Sequence, residues 1–175
     1  MKCSSAAIGS LLVGLLLVGI FSPLAAQPPA GGLQGMLQAG KLRELTGEAI
    51  KPTEFNGRPV LMIFWESYCP SCRAEAPVLN RLLDKYQQKG LQIVGVSTVT
   101  SPKEAQLFAR EQKVKYRLVT GSIKLAQRAE VIFLPTLLLF DQQGKLVKRF
   151  IGFQDEKTLA LAIEPRLSPV AGGRK

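Results

Sequence analysis

The chain of 175 residues has no histidine, one tryptophan and only three cysteines. Each scarcity removes a class of chemistry. A serine/histidine catalytic constellation cannot be built without its imidazole. A structural zinc site takes four ligands, and Cys3, Cys69 and Cys72 with no histidine cannot close a Cys/His site within one chain. The net charge is +10, yet no block of five or more like charges occurs, so there is no stripe suited to nucleic acid. A solvated basic surface accounts for the scattered lysines and arginines. No internal repeat and no nucleotide-binding loop is present.

Charge is also missing between Lys2 and Lys41. Residues 6–26 form an apolar run broken by Pro23, close to the roughly 20 residues that span a bilayer. A basic start and apolar centre fit a signal peptide. The cleavage site fits less well: cutting after Ala26 leaves Leu24 at the minus-three position, and cutting after Ala25 leaves Pro23 there. Cleaved signal and retained membrane anchor both stand, and both place the rest of the chain outside the cytoplasm. Cys3 precedes the apolar run, where it cannot serve as a lipid-attachment cysteine following one. Residues 27–40, rich in Pro, Gly, Ala and Gln, read as a flexible linker. A folded domain is expected over 41–165, with a loose tail over 166–175.

The two remaining cysteines stand in a pattern that carries chemistry. The apolar run Val60 to Trp65 reads as a strand buried on both faces, and Cys69-Pro70-Ser71-Cys72 then opens a helix. Proline suits the first helical position. A thiol at a helix start meets unpaired backbone N–H groups and the positive end of the helix dipole. Both favour the thiolate, the form that attacks disulfides. A purely structural disulfide here would close a tiny loop and restrict the unfolded chain little. Strand-to-helix placement points instead to reversible redox chemistry.

Past this helix, whose apolar stripe is Val78, Leu79, Leu82, Leu83 and Tyr86, Leu91 to Ser97 reads as a strand. Ser101 and Glu104 form a capping box for a helix reaching about Gln112. Tyr116 to Thr120 is a short strand, Ile123 to Ala129 a short helix, and Leu137 to Phe140 pairs with Leu146 to Ile151 across a turn at Asp141 to Gly144. Asp155 to Glu164 closes the domain as a helix, and Leu42 to Ile50 is expected as an edge hairpin turning at Thr46-Gly47. Alternation of strands and helices ending in a hairpin gives an α/β fold, a central mixed sheet flanked by helices.

Phe64-Trp65 with Cys69-Pro70-Ser71-Cys72, followed by Leu134-Pro135-Thr136, resembles the two signatures of the thioredoxin superfamily. Pro77 matches that fold's helix kink. Glu75 with Pro77 resembles the TlpA/ResA-like extracytoplasmic branch, and the helix and strand between Val99 and Thr120 resemble its TlpA-type insertion. The chain departs from thioredoxin at Ile63, where thioredoxin has a buried aspartate, and from the branch at Glu66, where a small residue is usual. The resemblance implies a thiol-disulfide oxidoreductase without a cofactor, acting on protein disulfides, apocytochrome c among them, and fed by a membrane thiol-disulfide electron donor.

Cys69 is then the attacking thiolate and Cys72 the thiol that resolves the mixed disulfide. The resemblance makes Pro135 cis and sets the Leu134 backbone beside the sulfurs, where a substrate strand could pair. It gives Glu75 a role as proton acceptor for Cys72. Trp65, Tyr68 and Pro70 are expected at the substrate-binding rim, Trp65 and Tyr68 supplying its apolar surface. Glu66 is a weaker candidate for the same proton or a solvated loop residue. Two other functions compete. A peroxidase on this fold would need a Pro/Thr-rich cysteine loop that Tyr68-Cys69-Pro70 does not show. A Cu(I) carrier would suit soft thiolates but lacks the histidine of the usual ligand set.

Overall fold

A computed structural model describes residues 32–167. The apolar run at 6–26 lies outside the described residues, and among those described no helix is long and apolar enough to cross a membrane. The strands are β1 (Arg43–Glu44), β2 (Val60–Phe64), β3 (Gln92–Ser97), β4 (Arg117–Thr120), β5 (Thr136–Phe140) and β6 (Leu146–Ile151). The helices are α1 (Gly32–Gly40), α2 (Pro70–Tyr86), α3 (Pro102–Glu111), α4 (Ile123–Arg128) and α5 (Glu156–Ile163). They assemble as a thioredoxin-like α/β fold. The sheet runs β1-β4-β3-β2-β5-β6, with β2, β3 and β4 parallel and the other pairings antiparallel.

Strand β2 lies at the centre and every residue of it is buried. Its side chains alternate between two cores, as the pleat requires. Leu61 and Ile63, with Trp65 beyond them, pack into the layer holding α2, α3 and α5; Val60, Met62 and Phe64 pack into the layer holding α1 and α4. Gly95 on β3 is small for a steric reason: a Cβ there would lie 2.6 Å from Leu118 Cδ2 and 3.0 Å from Trp65 Nε1. Its absence leaves room for the indole.

The predicted elements are present, with two corrections at the domain's ends. Residues 32–40, expected as part of a flexible linker, form helix α1. Leu33, Met36 and Leu37 are buried against Met62, Phe64 and Phe140, and Leu33 N donates to Gly144 O at 2.8 Å. Burial of three apolar side chains on one helical face outweighs the glycine penalty of this short segment. At the other end a 3-10 turn over Glu164–Arg166 keeps Arg166 on the domain: Arg166 donates to Ala162 O, its own carbonyl accepts from Gln142, and Leu167 packs on the core.

Candidate active site

The site forms where the chain leaves the carboxyl end of β2. Trp65 N donates to Val96 O at 3.1 Å, which continues the sheet one residue past β2. The chain then turns through Ser67 and Tyr68, and Cys69 becomes the N-cap of α2 with Pro70 at the first helical position. Cys69 and Cys72 are joined as a disulfide, with Cα atoms 5.3 Å apart. Cys69 Sγ accepts from Cys72 N at 3.2 Å, so the sulfur occupies the place of an N-capping oxygen. Cys69 is 6% exposed and Cys72 1%, so of the two residues the leading one is the more exposed. Ser71 Oγ lies 3.4 Å from Cys69 Sγ and donates to Leu134 O at 3.4 Å.

The bond between Leu134 and Pro135 is cis. Together with the Ser71 bond, this sets the Leu134 carbonyl against the opening of α2. Gly152 N donates to Pro135 O at 2.8 Å, which ties the proline loop to the end of β6. Ile132 and Phe133, just before this loop, are 81% and 64% exposed, and Tyr68 beside Cys69 is 70% exposed. Solvated large apolar side chains flanking a reactive centre suit an apolar polypeptide partner.

Glu75 sits one helical turn beyond Cys72 and is fully buried. Oε1 accepts from Gln154 N at 2.9 Å, while Oε2 has no partner among the described residues. Burial pushes its carboxyl up to about 7, only partly offset by the Gln154 amide. Tyr116, just before β4, has its phenol raised by burial and by the Glu75 charge. Glu75 is therefore a core carboxyl with one free oxygen.

Two expectations need correction. Trp65 does not form the rim: it is 1% exposed and stacks on Phe108 of α3, with ring centroids 4.2 Å apart. Its position directly after a doubly buried strand keeps it inside the sheet's layer. Tyr68, three residues on, is the aromatic that meets solvent. Glu66 is not a solvated loop residue. It is 4% exposed and accepts six hydrogen bonds from residues 97–100. The sequence signal available was Ser97-Thr98-Val99-Thr100 after a strand, a run of donors with no charge of its own.

Among the described residues no group of three His, Cys, Asp or Glu side chains is placed to hold a metal. The model of the AhpC/TSA family matches residues 36–160. The chain belongs to that family. It is 29% identical over 117 residues to the thiol-disulfide oxidoreductase ResA of Bacillus cereus (strain ZK / E33L), covering 66% of this chain and 68% of that protein. It is 26% identical over 147 residues to the sporulation thiol-disulfide oxidoreductase A of Bacillus subtilis (strain 168), covering 81% and 88%. A solved Chlorobium tepidum structure bearing the name thiol:disulfide interchange protein DsbE superposes with a TM-score of 0.67 at 28% identity, over 73% of this chain and 92% of that one. This AhpC/TSA member is a thiol-disulfide oxidoreductase of thioredoxin-like fold.

Proposed function

We propose that this oxidoreductase reduces disulfides of proteins outside the cytoplasm, with Cys69 as nucleophile and Cys72 as resolving thiol. The observation that carries the reading is Cys69 Sγ at the N-cap of α2, accepting from Cys72 N and more exposed than Cys72. In the reduced enzyme the Cys69 thiolate attacks one sulfur of the substrate disulfide. That bond breaks, a mixed disulfide forms, and the departing substrate thiolate takes a proton from water. Cys72 then loses its proton to Glu75, which burial has made basic enough to accept it near neutral pH. The Cys72 thiolate attacks Cys69 Sγ, the second substrate thiolate leaves, and two electrons have passed to the substrate. The enzyme ends as the Cys69–Cys72 disulfide.

A substrate strand would run past the Leu134 carbonyl, its apolar side chains on Tyr68, Ile132 and Phe133. An unfolded apocytochrome c offers such a segment. The apolar run at 6–26 supports a site of action across the cytoplasmic membrane, by export or by anchorage, and a membrane thiol donor would return the electrons. Reduction potential tests the direction. A value more negative than about −200 mV is expected; one near the −120 mV of strong periplasmic oxidants would assign the opposite reaction.

A further inference from the structure

Among the described residues no cation pairs with the buried Glu66 carboxylate, which accepts hydrogen bonds from Ser97 at the end of β3 and from the loop that follows. Oε1 accepts from Thr98 N at 2.9 Å, Val99 N at 3.2 Å and Thr98 Oγ1 at 3.3 Å. Oε2 accepts from Ser97 Oγ at 2.6 Å, Thr100 N at 2.8 Å and Thr100 Oγ1 at 2.5 Å. Thr100 Oγ1, having spent its one proton on Glu66, accepts from Ser67 N at 3.0 Å. Glu66 O accepts from Cys69 N at 3.1 Å. The start of the loop that carries Cys69 is thus tied to the Glu66 carboxylate through Thr100, and its end closes on the Glu66 backbone carbonyl.

We propose that Glu66 is a positioning residue for Cys69: through Thr100 and the Ser67 amide it holds the loop so that Cys69 Sγ stays at the N-cap of α2. The proposal rests on Cys69 being the attacking sulfur. Stabilisation of a thiolate by a helix start falls off within the first turn, so a loop free to shift would weaken it. The carboxylate is suited to this place because three backbone amides and three hydroxyls all donate to it. A glutamine can keep Thr98 N and Val99 N on its oxygen and donate its amide to the Ser97 and Thr100 hydroxyls. Thr100 N then retains Ser97 Oγ, 3.0 Å away. Glu66→Gln therefore removes charge and keeps the tether, Glu66→Ala removes both, and Thr100→Val keeps the charge while removing the link to Ser67.

Among the described residues, the other charged or titratable groups at this end of the sheet are Tyr68 beside Cys69, Cys72, Arg73 and Glu75 of α2, Glu104 and Glu111 of α3, and Tyr116 before β4. Segment 132–135 brings none. All are common to the three variants. The test is the pH profile of iodoacetamide alkylation of the reduced full chain carrying Cys3→Ser, so that Cys69 and Cys72 are its only thiols, read beside thermal stability. Glu66→Ala and Thr100→Val should react about tenfold more slowly at pH 7, the scale of one net hydrogen bond, with the profile's midpoint moved upward. Glu66→Gln should stay near the wild type. The proposal fails if Thr100→Val has an unchanged profile whatever its stability, or if Glu66→Gln reproduces Glu66→Ala, which would make charge the cause. Should Glu66→Ala not fold, Thr100→Val against Glu66→Gln decides. Persistence of the reactive thiol in Cys69→Ser would instead overturn the role of Cys69, and the proposal with it.

Discussion

At Glu75 one oxygen is hydrogen-bonded and the other is buried without a partner. That imbalance makes ionisation costly and raises the carboxyl from the 4.5 of a solvated glutamate to about 7. A carboxyl whose pKa is higher in the folded state binds more protons there than in the unfolded chain. Its contribution is therefore full below about pH 4.5 and is lost as pH rises to about 7. In the oxidised protein, where neither cysteine titrates, wild type should lose about 3 kcal/mol relative to Glu75→Gln across that window, since one unit is worth about 1.4 kcal/mol. Urea titrations at pH 4 and pH 8 measure the difference; a constant gap between the two proteins would show that Glu75 is not perturbed. The position of Glu75 could be read from its spacing to Cys72, whereas its hydrogen-bond partner, the Gln154 amide, lies 79 residues away. Glu66 was less legible still, because every partner of its side chain lies more than 30 residues along the chain. Local sequence fixes where a side chain starts, and the sheet decides what it meets.

Among the elements, α2 and α3 were legible because their starts are written locally. Cys69 caps one with Pro70 behind it, and Ser101 with Glu104 forms a reciprocal capping box on the other. Helix α1 was hidden by its composition: Gly32, Gly35 and Gly40 interrupt a segment whose helical content rests on packing. Its one signal was Leu33, Met36 and Leu37 at positions i, i+3 and i+4. Because α1 covers the face of the sheet opposite α2, it supports the back of β2 and so the strand that delivers Cys69. Met36→Ala should cost about 2–5 kcal/mol in urea unfolding, as for other fully buried large-to-small changes. A cost under about 0.5 kcal/mol would mean that α1 is not part of the cooperative core. The expected mixed sheet flanked by helices survived this error because the central strands β2 and β5, each apolar along its length, pair irrespective of what covers them.

Over the whole molecule, the fold brings three distant stretches to one edge: the β2–α2 turn with Cys69, the cis-Pro135 loop, and the end of β6 at Gly152. Around them stand Tyr68, Ile132 and Phe133, exposed in a protein that buries most of its other aromatics. Covalent capture tests the central claim most directly. Reduced Cys72→Ser protein, which cannot resolve, is mixed with a peptide containing one disulfide and analysed by mass spectrometry. With Cys3→Ser in both proteins, a stable adduct through Cys69 is predicted, with none formed by Cys69→Ser. An adduct carried instead by Cys72 in the Cys69→Ser protein, or no adduct in either, would contradict the account.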